Sequence, residues 1–471
     1  MRMIEQIYIN GGFVTPHGEE MFDLFNPATA QVIGRVRLAD AVDVGRAVAA
    51  AKQAFPAFSR TGKQERIAIL HRLRNCVLAR ADALTEAAIE EFGAPRSVAA
   101  YWPEWSGGLF MAAAQSLEDY ALTRRIGTAD VVMEPVGVAG LITPWNADAL
   151  IVCAKLATVV AAGCTCVIKP SEMSAIQTQI LTETLHEAGL PAGVFNIVTG
   201  RGDVAGAELT RHPDVAKISF TGSTVTGKAI LRAGADTIKR MTLELGGKSP
   251  TVILDDADLG QAVPLAITAG FLNSGQACTA GSRILVPEHR LAEVSAIARD
   301  VVATIKVGDP READTQIGPM VSLTQWERVQ RYIRLGIEEG AAVLIGGEGR
   351  PSGLAGYFVK PTVFTNVSNG MTIAREEIFG PVLSIITYRS EEEAIGIAND
   401  TPYGLQAYVL SPDAERARRV ALRIMAGTVI VNGLQAHPLA PFGGFKQSGL
   451  GREMGSFGLD AYFEPKTVMN G

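Results

Sequence analysis

The runs Val136-Gly-Val-Ala-Gly-Leu-Ile142, Ala149-Leu-Ile-Val-Cys-Ala-Lys-Leu-Ala-Thr-Val-Val-Ala-Ala162 and Thr165-Cys-Val-Ile168 follow one another almost without interruption. The outer two are short and rich in apolar, β-branched residues, which predicts buried strands, and the middle one is long enough for a helix. Residues 149–168 together approach the roughly twenty apolar residues that span a bilayer, but Lys155 breaks the run and Gly163 punctuates it. A buried helix that stops before a short strand, with Pro170 just beyond, is therefore expected in place of a membrane span. The alternation continues with a helix over 175–188 and strands over 194–198 and 215–220. Such βαβ succession predicts a mainly parallel sheet covered by helices on both faces.

Upstream, an opening strand is expected over 6–14, and 42–117 reads as successive helices. Ala-rich apolar repeats at three and four residues alternate there with charged faces, as in 64–79 and 83–91. Downstream, a second alternating block begins near Ser249. It has strands over 251–254 and 283–286, helices over 259–272, 291–305 and 323–339, and further strands near 342–345, 382–388 and 428–431. The chain thus divides into two α/β domains meeting near 247 without a low-complexity linker. The tail, 461–468, has strand-like composition but no partner nearby in sequence, so a protruding arm that pairs elsewhere is expected.

A length of 471 residues points to two to four domains. With 47% hydrophobic and 20% charged residues the composition is that of a folded globular protein, which excludes long disorder. A net charge of -6 without any long Lys/Arg run gives no support to nucleic-acid or acidic-membrane partners. The opening residues lack the basic-then-apolar layout of a signal peptide. The five cysteines, Cys76, Cys153, Cys164, Cys166 and Cys278, show neither zinc-ligand nor disulfide-framework spacing, so no metal site is expected and a reducing, cytoplasmic compartment fits. Cys164 and Cys166 read as buried filler on one face of a strand.

Chemistry concentrates in two dense runs, Leu243-Glu-Leu-Gly-Gly-Lys-Ser-Pro250 and Phe271-Leu-Asn-Ser-Gly-Gln-Ala-Cys-Thr-Ala-Gly-Ser-Arg283. A lone thiol among small residues, with a lone carboxylate upstream, suits thioester chemistry: Cys278 attacks a carbonyl and Glu244 activates water to release an acid. The thiol needs a lowered pKa, or a base at the moment of attack. Polar, flexible Asn273, Gly275 and Gln276 are poor core filler, whereas Leu243 and Leu245 imply burial of Glu244 and a raised pKa. A dinucleotide fingerprint, Gly200-Arg-Gly202-Asp-Val-Ala205, follows a strand, but no acidic residue ends a following strand at the usual offset. Phe220-Thr-Gly-Ser-Thr224 stands there instead, joining a strand to a helix, and Ser223 either receives a pyrophosphate or simply caps the helix. At the end of a neighbouring strand, Lys169 and Glu172 can hold ribose hydroxyls, and Glu172 repels a 2′-phosphate, which prefers NAD over NADP.

Motifs running in order along nearly the whole chain resemble those of the NAD(P)-dependent aldehyde dehydrogenases. They are Ile142-Thr-Pro-Trp-Asn146, Lys169-Pro-Ser-Glu172, Phe220-Thr-Gly-Ser-Thr224, the Glu244 and Cys278 runs, Glu376-Glu-Ile-Phe-Gly-Pro-Val382 and Pro441-Phe-Gly-Gly-Phe-Lys446. The resemblance implies a Rossmann-like NAD-binding domain (1–116 and 136–247), an α/β catalytic domain (248–447) and a small β oligomerisation arm (117–135 and 456–471), giving a homodimer or homotetramer. It implies that Cys278 is the nucleophile, that Asn146 and the Cys278 N–H stabilise the oxyanion, and that Glu244 is the general base, with Lys155 near the site. For the cofactor it implies Ile142, Thr143, Trp145, Lys169, Glu172, Gly202, Phe220, Gly222, Ser223 and Leu245, with Glu377 at the nicotinamide ribose and Phe379 beside the ring. Glu453 resembles an alternative proton acceptor. The expected reaction is oxidation of an aldehyde to its carboxylate through a thiohemiacetal and a thioester.

The chain departs from that pattern at Ala147-Asp148, Ala154 and Ala277. Small side chains there imply a wide tunnel suited to a medium-sized apolar or aromatic aldehyde, with Asp148 either at the tunnel mouth or capping the helix. The 433–440 loop, with Gln435 and His437, is expected at the outer rim. A CoA-acylating dehydrogenase is the enzymatic alternative, and the presence of Glu244 argues against it. A silent family member with a binding role is the other, and retention of Cys278, Glu244, Asn146 and Glu377 argues against that.

Overall fold

The computed structural model describes residues 1–469, and it is mixed α/β with two large sheets. In the first, five parallel strands lie side by side in the order Arg240–Glu244, Val215–Thr221, Val138–Ile142, Thr165–Lys169 and Phe195–Ile197. Short antiparallel strands close both edges: Gly449–Leu450 beside Arg240–Glu244, and the Ile7–Ile9/Gly12–Val14 pair beside Phe195–Ile197. The chain builds outward from Val138–Ile142 in one direction, then returns to its other side with Val215–Thr221. That reversal is a topological switch point, and in such sheets ligands bind beyond the carboxyl ends of the strands flanking it.

Local chemistry accounts for the elements that frame this edge. The helix Asp148–Ala162 is buried along almost its whole length and ends at Gly163 in the left-handed region (φ 78°). A Cβ on Gly163 would lie 2.8 Å from the Arg66 guanidinium, so space and backbone both require glycine. Among the described residues no helix is long and apolar enough to cross a membrane. The expected single strand over 6–14 is instead a hairpin, because Asn10 (φ 53°) and Gly11 (φ 82°) turn the chain back on itself. Asn-Gly is the residue pair that a two-residue hairpin turn favours. A small sheet of Arg2–Ile4, Gln31–Arg37 and Met21–Asn26, also without a counterpart in the sequence reading, packs through Leu24 and Val36 on Ala87, Ala175 and Ile176.

The second sheet has the order Ala342–Ile345, Thr362–Thr365, Val382–Tyr388, Arg283–Pro287, Pro250–Ile253, Gln406–Leu410, Thr428–Val431, and is parallel except at its first strand. Arg283 is fully buried and donates to the carbonyls of Lys248, Ile397 and Ala398 and to Asn369 Oδ1. A buried guanidinium with this many acceptors fixes the root of the strand that carries the Cys278 loop. The tail strand Phe463–Met469 pairs antiparallel with Ala129–Pro135, which in turn pairs with Thr123–Ile126. Residues 470 and 471 of the expected 456–471 arm segment lie outside the described residues. Cys164 and Cys166 are fully buried, unpaired and, for Cys164, pushed up to about 11 by burial.

Candidate active site

Strand register aligns the expected nucleotide residues at the switch point. Ile142 stands opposite both Lys169 and Phe220, and Thr221 stands opposite Glu244. The Thr143 N–H donates to the Lys169 carbonyl at 3.1 Å, while its buried hydroxyl has no protein partner. Lys169 Nζ reaches Glu172 Oε2 at 3.1 Å. Trp145 lies between the rings of Phe92 (5.9 Å) and Phe379 (5.4 Å, perpendicular), and Phe379 itself adopts a positive φ of 64°.

Ser223 caps the helix Thr224–Gly234 by accepting the Thr226 N–H at 3.2 Å. A Cβ on Gly222 would lie 2.5 Å from the Phe220 ring, and one on Gly227 would lie 2.5 Å from Leu245, so the strand-to-helix turn sits flush on the sheet. Gly202 is exposed and a Cβ there would meet nothing, whereas one on Gly200 would lie 2.5 Å from the Ala39 carbonyl. The glycine that the fingerprint needs for packing is thus Gly200. An orphaned hydroxyl, a lysine-held carboxylate and a glycine turn opening a helix form a set that can hold ribose and pyrophosphate groups.

Cys278 follows three consecutive left-handed residues, Asn273 (φ 53°), Ser274 (φ 59°) and Gly275 (φ 74°). Backbone strain of this kind persists only where surroundings over-determine it, and here they do. The Asn273 amide donates to the carbonyls of Asn146 (3.0 Å) and Gln276 (3.2 Å), and Gln276 donates to Pro319 O and accepts the Val321 N–H. Ser274 Oγ accepts the Gly318 N–H at 2.9 Å. The Asn146 amide donates to Gln276 O at 3.1 Å, which brings the end of Ile142-Thr-Pro-Trp-Asn146 onto the Cys278 loop. Burial first, then the Glu377 and Glu244 carboxylates, push the Cys278 thiol up to about 12, opposite to a lowered pKa. A nucleophilic role for this thiol would need a base that removes its proton.

Glu244 ends its strand only 3% exposed, with both carboxylate oxygens unpaired. Burial, followed by the charge of Glu453, holds its carboxyl well above the usual range, against the opposing pull of Lys155 and Arg452. A Cβ on Gly443 would lie 2.7 Å from Glu244 Oε1, so glycine leaves the space beside the carboxylate. Lys155 is buried, donates to Ser219 Oγ at 2.8 Å and pairs with Glu453, whose Oε1 also accepts from Ser219 at 2.8 Å. Glu377 accepts the Gly247 N–H at 2.9 Å and is raised to about 7 by burial, with that N–H, Arg328 and Lys248 pulling the other way.

Two expectations change. Asp148 is not at a tunnel mouth: it is fully buried, accepts from Thr178 at 3.0 Å, makes no cap hydrogen bond and is pushed up to about 7 by burial. Sequence reasoning missed Lys248, whose buried ammonium has no hydrogen-bond partner and is lowered to about 7 by burial and Arg283. It also missed Ser219, although strand alternation puts Ser219 and Lys217 on one face. A surface groove of about 470 Å³, lined by Ile67, His71, Met111, Gln115, His437 and Leu439, shares Ala112 and Pro438 with a narrower crevice that contains Ala154 and Met454.

A family model described as "Aldehyde dehydrogenase family" matches residues 13–468. The chain is 47% identical over 472 residues to a 3-succinoylsemialdehyde-pyridine dehydrogenase of Pseudomonas sp, covering 100% of this chain and 99% of that protein. Its fold is similar to a mutant of aldehyde dehydrogenase C from Pseudomonas syringae complexed with NAD+ and octanal (TM-score 0.97, 44% identity, 99% of this chain and 96% of that one). It is also similar to the NAD+ complex of an aldehyde dehydrogenase from Bacillus cereus (TM-score 0.95, 40% identity, 99% and 96%).

Proposed function

This chain belongs to the aldehyde dehydrogenase family, and on that premise we propose that it oxidises a medium-sized apolar or aromatic aldehyde to its carboxylic acid with NAD as cofactor. The carrying observation is the convergence of the Cys278 loop, the Asn146 amide and the unpaired Glu244 carboxylate beside the switch point of the first sheet. Thr143, Lys169, Glu172, Gly222, Ser223 and Leu245 would hold the dinucleotide. Glu377 and Phe379 would frame its nicotinamide end, and Glu377 must exchange the Gly247 N–H for a ribose hydroxyl. Bound NAD would supply the hydride acceptor and a positive ring whose charge favours the thiolate.

In this reading Cys278 Sγ adds to the aldehyde carbon while its proton passes to Glu244 and on to solvent, giving a thiohemiacetal whose oxygen carries the negative charge. The free N–H of the Asn146 amide and the Cys278 backbone N–H receive the developing oxyanion, each such donor being commonly worth about 3 kcal/mol of barrier. Loss of hydride from that carbon leaves a thioester on Cys278. Glu244, buried and unpaired, then takes a proton from water as the water attacks the thioester, and the acid departs with Sγ restored. Lys155 and Arg452 offset the negative charge of Glu244, and Glu453 opposes it.

The apolar walls of the groove and the small Ala154 of the adjoining crevice support a sizeable substrate body, with His437 at its rim. Relatives solved with octanal or named for a pyridine semialdehyde are of that size class. The 1–116 and 136–247 segments form the NAD-binding domain in this reading, and 248–447 the catalytic domain. The 123–135 hairpin with the tail strand is an arm that builds a homodimer or homotetramer; Ile126 and Met469 are exposed on it. Five unpaired cysteines support a cytoplasmic location.

An aldehyde panel tests the substrate assignment. Octanal and benzaldehyde should exceed acetaldehyde and succinic semialdehyde in kcat/KM by about tenfold or more, in line with the discrimination apolar pockets achieve. Added coenzyme A should leave the rate unchanged; a requirement for it, or a preference for the short aldehydes, contradicts the proposal. A second expectation concerns the cofactor. Glu172→Ala removes the carboxylate that faces a 2′-phosphate, so the ratio of NADP to NAD dissociation constants should narrow by about tenfold, equivalent to a coupling of roughly 1.4 kcal/mol. An unchanged ratio in titrations of the variant removes Glu172 from the ribose site.

A further inference from the structure

We propose that Glu91 is a positioning residue for cofactor choice: it caps the helix Ala175–Glu187 from a distant segment and thereby fixes Glu172, an inference resting on the reading of Glu172 as the ribose carboxylate. Ser174 stands at the N-cap of this helix but makes no cap hydrogen bond, and its hydroxyl is buried without a partner. A helix start leaves its first backbone N–H groups unserved. Glu91 serves two of them across more than eighty residues of sequence. The Ile176 N–H donates to Glu91 Oε1 at 2.8 Å and the Gln177 N–H to Glu91 Oε2 at 3.0 Å. The Gln177 side-chain amide donates to the same Oε2 at 3.3 Å. Glu91 and Gln177 are both buried, so water does not compete for these bonds.

Glu91 accepts all three hydrogen bonds, which suits a carboxylate with acceptor sites on both oxygens. The partial positive charge of a helix start favours the same anion. Burial pushes the group up to about 8, and the three donors pull it down against that. The next residue of the same helical turn is tied as well, since Thr178 Oγ1 donates to Asp148 at 3.0 Å.

Glu91 lies in the π-helical turn Ala88–Phe92, a local widening of the helix that is common at functional sites. Its consecutive residues brace two parts of the proposed NAD site. Glu91 holds the helix start, while Phe92 belongs to a cluster on which Met173 and Trp145 pack. Glu172 is therefore suspended between two fixed points. On one side Lys169, set by the sheet register, reaches its carboxylate at 3.1 Å. On the other, the turn Glu172–Ser174 runs without a break into the helix that Glu91 caps. A glutamine at 91 keeps the shape but offers one acceptor oxygen, and its NH2 then opposes an N–H donor. The first turn has to shift to relieve that clash of donors, and the shift passes to Glu172, four residues before Ile176. Both the ribose acceptor and the repulsion of a 2′-phosphate are then weakened together.

The test is a double-mutant cycle on the full-length protein, with NAD and NADP dissociation constants measured by equilibrium titration. In the wild-type background Glu91→Gln should narrow the ratio of NADP to NAD dissociation constants by about fivefold, the worth of roughly one hydrogen bond. In the Glu172→Ala background the same substitution should change that ratio by less than about twofold, because the group it acts through is gone. With saturating NAD and octanal, kcat should stay within about twofold of wild type, which places the effect in cofactor binding. A merely structural role would lower the melting temperature and weaken NAD and NADP alike. An unmoved ratio in the wild-type background, or equal narrowing in both backgrounds, overturns the proposal. If Glu91→Gln does not fold, Gln177→Leu decides by the same cycle: it removes one donor of the three, and the ratio should narrow by about twofold only where Glu172 is present. A ratio unmoved by Glu172→Ala itself would instead remove the ribose reading, and the proposal with it.

Discussion

Replacing Cys278 by alanine is expected to abolish NADH formation while leaving NAD binding measurable. Removal of a nucleophile typically costs four or more orders of magnitude in kcat, since the remaining groups stabilise charge without offering a bond. The cofactor groups at the switch point do not depend on the thiol: Lys169, Glu172, Thr143 and Ser223 are placed by strand ends and a helix start. The NAD dissociation constant should therefore stay within about threefold, a difference well under 1 kcal/mol. Alanine also preserves the loop, whose pins run through Asn273, Ser274 and Gln276. Substantial residual turnover with octanal would remove Cys278 from the nucleophilic role.

Glu244→Gln should separate the two halves of the reaction. Rapid mixing should show one burst of NADH, about one per active site, followed by turnover slowed by about 10²- to 10⁴-fold, the usual worth of a positioned general base. The substitution is nearly isosteric, and no hydrogen bond to the carboxylate is lost because neither oxygen makes one. In the wild type, burial and Glu453 raise the carboxyl above its usual range. The base form therefore disappears as pH falls through that raised value, and steady-state turnover should decline on the acid side from a higher pH than an ordinary glutamate would give. The variant's slow phase should lose that acid limb. A steady-state rate and pH profile unchanged by the mutation would remove Glu244 from water activation.

Local pattern carried most of the fold. The runs 136–142, 149–162 and 165–168 coincide within two residues with Val138–Ile142, Asp148–Ala162 and Thr165–Lys169. The hairpin at Asn10-Gly11 was present in the sequence as a turn signal and was overridden by an apolar alternation that runs across it. Strands Thr362–Thr365 and Gln406–Leu410 take their places from neighbours distant in sequence, which no short window contains. The residue types at Cys278, Glu244 and Asn146 were legible, and so was the burial that raises Glu244, but the electrostatics of Cys278 and Asp148 were not. The thiol is raised first by burial and then by Glu377 and Glu244, which arrive from other segments, and Asp148 is buried against another helix, whose Thr178 donates to it. Ser219 looks like an ordinary strand residue until Glu453, 234 positions later, closes on it.

The pairing of the tail with the 129–135 strand has a consequence for biosynthesis. Lys466 reaches diagonally across that ladder to Glu134 although 332 residues separate them. At about 5–20 residues per second, a strand already made at 129–135 waits roughly a quarter of a minute to a minute for the segment that covers it. During that interval one edge carries unpaired amides and carbonyls, the kind of surface that recruits other chains. The same stretch of synthesis delays Tyr462 and Glu453. A nascent chain stalled short of its last twenty or so residues, on this reckoning, would hold the Cys278 loop beside a made second sheet and still lack Glu453, the carboxylate that Ser219 donates to. Aggregation during expression should accordingly fall with slower growth or a chaperone that shields strand edges, and proteolysis of translation intermediates should cluster near 123–135.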